Sequence, residues 1–202
     1  MVFTEVVPRN YDLGQRAQGQ AETRERIVGA TLALYAAIGP ARTTISAIAE
    51  SAGVQRLTVY RHFPDDRALY QACWERWTAE HPLPDPAPWH AIEDPSERLR
   101  SALVATYAWF GSAGELLAHL QVDLPHLPVL AEIAAPLARS RASAQEILER
   151  GWEARGERRE RLSAVIGHAL EFETWRSLAR APASGLADER IAELMVRLAR
   201  VV

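Results

Sequence analysis

The sequence predicts an all-α protein of about nine helices. Three observations carry that expectation. Apolar residues recur at three- and four-residue steps through most of the chain, and no stretch alternates with period two for long enough to make a strand. Alanine, the best helix former, is abundant. Proline and glycine cluster between the periodic segments rather than inside them, with a few exceptions.

Residues 1–20 show no apolar periodicity and contain Pro8, Gly14 and Gly19, so they read as a flexible arm carrying Arg9 and Arg16. From Glu22 the pattern turns helical through Ile27, Ala30, Leu34 and Ile38, and Gly39-Pro40 stops it. A short helix follows, with Thr43 or Thr44 as N-cap and Ile45, Ile48 and Ala49 facing inward. Ser51 to Val54 form a tight turn, and a further short helix takes Gln55 to Phe63, ended by Pro64. Asp65-Asp66 caps a long helix over 66–80 that holds Leu69, Tyr70, Cys73, Trp74 and Trp77.

Five prolines between 81 and 95 mark a loop and a domain boundary. Ser96-Glu97 then opens a helix that ends near Gly111, and a shorter one over 113–120 runs to a break at Pro125 and Pro128. A helix from 129 to about 154, kinked at Pro136, precedes Gly156 and a helix over 157–180. Beyond Pro182 and Gly185 comes a last helix, 188–201. The expected domains are therefore the arm 1–20, a helical unit 21–81 and a body 82–202.

Composition narrows the function. Of the 202 residues 48% are hydrophobic and 24% charged, the balance of a globular protein. No apolar run reaches the length of a membrane span and no signal-peptide core opens the chain, so a cytoplasmic location is expected. One cysteine, Cys73, excludes an internal disulfide or a cysteine-based zinc cage; it reads as buried packing rather than a sensor. All 23 basic side chains are arginine, against 26 acids. Phosphate binding would fall to arginine forks, imidazole, hydroxyls and helix N-termini, with no flexible ammonium group.

Residues 44–63 are the informative part. Two short helices that cross steeply need a small residue where they touch (Ala49), a residue free of Cβ in the turn (Gly53) and an apolar wedge (Ile48, Val54, Val59). From Ser51 through Pro64 there is no acid, while Gln55, Arg56, Thr58, Tyr60, Arg61 and His62 offer donors for phosphate oxygens and base edges.

The run Thr43-Thr44, Ile48-Ala49, Gly53-Val54 and Thr58-Val59-Tyr60-Arg61-His62-Phe63-Pro64, followed by Ala68-Leu69, resembles the DNA-binding domain of TetR-family transcriptional repressors over about residues 21–81. Gly167 to Arg176, with Gly185-Leu186 and the closing helix, resembles C-terminal domains of that family less specifically. The resemblance implies that Thr43 and Thr44 bind phosphate, that Gln55, Arg56 and Thr58 face the major groove, and that Tyr60 and His62 hold backbone phosphates over a packed Phe63. Leu57 departs from the small residue many members carry and would offer an apolar contact, such as to a thymine methyl. Arg67 stands where lysine is usual, beside Asp65 and Asp66, and is the expected substitute phosphate contact.

Downstream, Trp74, Trp77, Trp109 and Phe110 flank the proline loop. They are either plain core or, as the resemblance implies, the wall of an effector pocket with His119 or Asp123 as polar anchor. In the same reading the helix 66–80 serves both parts, Leu69 and Tyr70 packing on the DNA-binding helices and the two tryptophans facing the body. Two apolar stripes, Leu162, Val165, Ile166, Ala169 and Glu173, and Ile191, Leu194, Met195 and Leu198, would pair across a two-fold axis as a four-helix bundle, or be ordinary intramolecular burial.

The expected function is a homodimeric regulator that binds palindromic double-stranded operator DNA and is released by a small apolar or aromatic effector, with no cofactor, no metal and no membrane partner. Two rivals stay open: a ligand-independent DNA binder, and a helical enzyme using His168/Glu171 or His119/Asp123 as a metal or acid–base pair rather than as solvated helix faces.

Overall fold

The computed structural model describes residues 9–180 and 185–202, with side chains from Gly14 onward. All regular structure among them is helical. The chain divides into two compact units, 1–77 and 78–202.

The N-terminal unit holds α1 (Arg9–Ile38), α2 (Ile45–Ser51), α3 (Arg56–His62) and most of α4 (Asp66–Glu80). Helix α1 starts well before Glu22, so residues 9–20 are helical where the sequence suggests an arm; residues 1–8 lie outside the described residues. The segment 14–20 is exposed along its length. With no face to bury it carries no apolar periodicity, which is why its helicity is invisible to a periodicity argument. The other boundaries follow the sequence closely. Gly39 takes φ 88° and begins the 3-10 turn Pro40–Arg42. The Ala47 N–H donates to Thr44 Oγ1 at 3.2 Å, which makes Thr44 the N-cap of α2. The Ala68 N–H donates to Asp65 Oδ1 at 2.8 Å at the start of α4. Ile27, Val28, Ile48, Val59, Phe63, Leu69 and Cys73 form a buried core.

The C-terminal unit holds the short α5 (Ala87–His90), α6 (Pro95–Asp123), α7 (Pro128–Leu148), α8 (Glu157–Ala169), α9 (Phe172–Ala179) and α10 (Asp188–Val201). Helix α10 packs along α6 and α8. Four expectations are corrected here. Helix α6 is continuous through Gly111 and Gly114, where two helices were expected. A Cβ on Gly111 would meet the Trp175 ring at 3.9 Å and one on Gly114 the Phe172 ring at 4.0 Å, so these glycines lie where the aromatics of α9 come down on α6. Each costs about 1 kcal/mol against alanine, and burial of Phe110, Leu116, Leu117 and Leu120 on the same helix outweighs that.

The helix expected over 157–180 is instead two helices that break at Leu170-Glu171. Tyr107 Oη donates to the Ala169 carbonyl at 2.9 Å, satisfying an end carbonyl that a continuous helix would have used itself. Helix α7 keeps Pro136 inside it but ends at Leu148, with Gly151 at φ 80°. The proline loop is not wholly irregular: α5 lies within it, and Trp89 of α5 is buried.

One side chain organises the far end of this unit. Arg98, buried, donates to the carbonyls of Ile92, Glu93, Ile147 and Arg150 at 2.9–3.3 Å. Two of those carbonyls lie at the C-terminus of α7, where a cation also meets the favourable end of the helix dipole.

Candidate nucleic-acid interface and a cavity in the body

In the helix-turn-helix, α2 and α3 are joined by three turn residues and Gln55. Gly53 at φ +64° occupies the left-handed region, and the Val54 N–H donates to the Ala49 carbonyl at 2.9 Å, closing the turn. Val59 is fully buried under α3 and Phe63 follows it into the core. Helical geometry therefore turns Arg56, Leu57, Tyr60 and Arg61 outward. Leu57 is 76% exposed and Tyr60 45% exposed, an unusual investment for a leucine and a tyrosine on a helix of seven residues. Thr58 and His62 are half-buried at the edges of that face.

The polar groups around it are set by the fold. Thr43 Oγ1 donates to the Gly39 carbonyl at 2.8 Å, leaving the hydroxyl oxygen able to accept only; it cannot at the same time donate to a phosphate. The Thr44 hydroxyl oxygen accepts from the Ala47 N–H as cap, so its O–H remains a donor at the N-terminus of α2. The Arg24 guanidinium lies over the Phe63 ring at 5.0 Å. Burial, with Arg61 and Arg24 nearby, holds the His62 imidazole below its usual pKa. Arg67 is exposed in the first turn of α4 beside Asp66. Cys73 is buried and burial pushes its thiol up to about 12, so it is inert packing, as expected.

Residues 27–73 match the family model for bacterial regulatory proteins, tetR family. The match spans the helix-turn-helix with parts of α1 and α4. The HTH-type transcriptional regulator AcrR of Shigella flexneri is 38% identical over 58 residues, which span 29% of this chain and 27% of that one. The chain thus matches about a quarter of the length of that curated relative. Two solved structures share the TetR fold over nearly the whole chain. A TetR-like transcriptional regulator from Rhodococcus sp. RHA1 superposes with TM-score 0.64 at 18% identity, covering 88% of this chain and 93% of that one. The multidrug binding protein EbrR, complexed with imidazole, superposes with TM-score 0.50 at 20% identity, covering 98% and 97%.

The C-terminal unit contains a cavity of about 990 Å³ between α5, α6, α7 and the α8–α9 break. Trp109 and Phe110 line it, and Trp89, Leu117, Leu120 and Phe172 complete its apolar wall. Phe110 sits edge-on to Phe172 at 5.4 Å, and the Trp109 indole N–H donates to the His81 carbonyl at 3.1 Å, which fixes the ring.

The rest of the expected pocket is corrected. Trp74 and Trp77 belong to the N-terminal unit, where they pack on each other at 5.3 Å with Trp77 buried, whereas every lining residue belongs to the C-terminal unit. His119 and Asp123 fall outside the lining because they lie on another face of α6 from Leu117, Leu120 and Gln121. The polar groups at the cavity are instead Asp85, Thr106, Gln121, Arg139, Ser140, Arg141, Ser143 and Glu171. The Arg-Ser-Arg run at 139–141 was the signal available in the sequence for them.

His168 and Glu171 engage different partners. His168 shares a 3.3 Å hydrogen bond with Thr174 Oγ1, while the Glu171 carboxylate is ion-paired with Arg141. Among the described residues no cluster of three or more His, Cys, Asp or Glu could hold a metal, and no helix is long and apolar enough to cross a membrane.

The two stripes expected at a dimer interface divide. Leu162, Ile166, Ala169, Ile191 and Met195 are buried within the C-terminal unit, so they are core, because α8 and α10 pack on each other there. Leu194 and Leu198 are exposed, as is Val201; Val165 is half-buried, and Glu173 is an exposed partner of Arg176.

Proposed function

We propose that the chain is a sequence-specific DNA-binding transcriptional regulator of bacterial cytoplasm, acting as a homodimeric repressor that a small apolar or aromatic effector releases from a palindromic operator. The observation that carries this reading is the outward face of α3: Arg56, Leu57, Tyr60 and Arg61 are exposed on a helix packed from behind by Val59, in a stretch with no acid from Ser51 to Pro64. Arginine forks suit guanine edges and phosphates, a leucine suits a thymine methyl, and the tyrosine hydroxyl suits a phosphate oxygen. Gln55, Thr58, Thr44, His62 and Arg67 surround that face and would hold the duplex in register; Thr43, its hydroxyl proton held by the Gly39 carbonyl, would not donate to a phosphate.

Dimerisation supplies specificity that one short helix lacks, since two half-sites about 34 Å apart double the bases read. The exposed strip Leu194, Leu198 and Val201 of α10, with Val165 of α8, is the surface on which a second copy would pack. The cavity supports ligand response, and EbrR, which shares the fold, is described as a multidrug binding protein. That the cavity is formed by the body's own helices favours a ligand-responsive regulator over a ligand-independent DNA binder.

Binding-site selection from a pool of random duplex DNA tests this reading. A palindromic consensus with half-sites about one helical turn apart is the expected result. Recovery of no consensus, with affinity set by salt alone, would establish the non-specific binder instead.

A further inference from the structure

The cavity of the C-terminal unit has a charge arrangement that selects among ligands. Its depth is apolar: Trp89, Phe110, Leu117, Leu120 and Phe172 are all buried. Its charged groups lie at exposed or half-buried positions, on the α7 segment just past Pro136 and at the α8–α9 break. Two carboxylates take part, and both are committed. Asp85 accepts from the Ala87 N–H at 2.9 Å, capping α5. Glu171 is ion-paired with Arg141. Arg139 pairs with no carboxylate among the described residues, and Ser140 and Ser143 add hydroxyl donors on the same helix. The rim thus carries one guanidinium with no carboxylate in contact, and a second whose present partner is a carboxylate of the chain itself.

We infer that the effector is an amphipathic anion, an apolar body with a carboxylate head, and that Glu171 occupies the place on Arg141 that the head group takes. The inference rests on the reading of this cavity as the effector site. An incoming carboxylate that bridges Arg139 and Arg141 would replace the pair without leaving either guanidinium bare, and a planar fork binds a carboxylate through two parallel hydrogen bonds. Because the rim is solvated, the gain in affinity over a neutral head is moderate, and most of the binding free energy comes from the apolar body. Displaced from Arg141, Glu171 would release the tie between α7 and the break preceding α9.

The test uses the full-length protein and three probes of equal chain length below their micellar concentrations: decanoate, 1-decanol and decyltrimethylammonium. Binding is followed by tryptophan fluorescence and by the shift in Tm. Decanoate is expected to bind roughly tenfold more tightly than decanol, and the ammonium more weakly than either. Glu171→Gln should tighten decanoate about threefold to tenfold by removing the internal competitor, and Arg141→Gln should weaken it by a similar factor. Circular dichroism and Tm of the unliganded variants check that both remain folded. If decanol or the ammonium binds better than decanoate, or if Glu171→Gln leaves decanoate binding unchanged, the anion inference is overturned while the effector cavity stands. If no probe binds, the reading of the cavity falls and the inference with it.

Discussion

The two units of this chain hold their functional features in opposite ways. In the N-terminal unit the core is filled and the informative side chains point outward from α3, where Leu57 and Tyr60 are exposed at some cost in apolar surface. In the C-terminal unit the feature of interest is unfilled volume, a cavity of about 990 Å³ between α5, α6 and α7. A reading head that must present one geometry to DNA gains from tight packing beneath it. A receptor for a small molecule gains from packing that is incomplete, provided the walls are held by other means. Here those means are Arg98 on four carbonyls, the Tyr107 hydroxyl on the Ala169 carbonyl, and the aromatic cluster of Phe110, Phe172 and Trp175.

The sharpest way to break that comparison is at Arg98. Arg98→Met keeps the volume of the stem but leaves buried carbonyls at the end of α7 without donors. Chemical denaturation should show a loss of about 3 kcal/mol or more, with probe binding in the cavity lost in parallel. A loss under about 0.5 kcal/mol would mean that the cavity is held by apolar contacts alone.

Next in size is the exposed strip of α10. In the proposed dimer Leu198→Glu places like charges across the two-fold axis and should raise the dissociation constant by tenfold or more, read by analytical ultracentrifugation. An unchanged sedimentation profile would move the interface elsewhere.

In the reading head, Gly53→Ala forces a Cβ into the left-handed region with no steric clash around it, so the cost is backbone strain alone, about 1 kcal/mol. A neutral result would show that the turn can relax without disturbing α3.

The smallest effect is at His62. Its pKa lies below the unfolded value of about 6.5, so the folded state resists protonation. Stability should therefore decline as pH falls through 6.5 toward the folded pKa, and His62→Gln should flatten that decline. A phosphate against His62 would raise the same pKa, so DNA affinity should strengthen over the window in which stability weakens.

The same contrast explains which parts were legible in the sequence. The reading head is built from short-range rules: Thr44 caps α2, Gly53 turns the chain, Asp65 caps α4, and each leaves a local signature. The body depends on contacts distant in sequence. Gly111 and Gly114 look like a helix end until Trp175 and Phe172 are placed against them, and the break at Leu170-Glu171 has no proline or glycine to mark it. Trp74 and Trp77 share their residue type and helical spacing with Trp109 and Phe110, so residue type and spacing alone do not tell which aromatics line the cavity. Apolar stripes likewise cannot distinguish core from interface. Ile191 and Leu194 lie three residues apart on α10, one fully buried and the other exposed.

The central claim is that α3 reads DNA with its outward face, and fluorescence anisotropy on a selected palindromic site tests it most directly. Against wild type at fixed salt, Arg56→Ala and Tyr60→Ala should each weaken binding by about 1–3 kcal/mol, roughly 5- to 150-fold, with helicity and Tm unchanged. Binding that stays within twofold of wild type in both variants would contradict the assignment of this face to DNA.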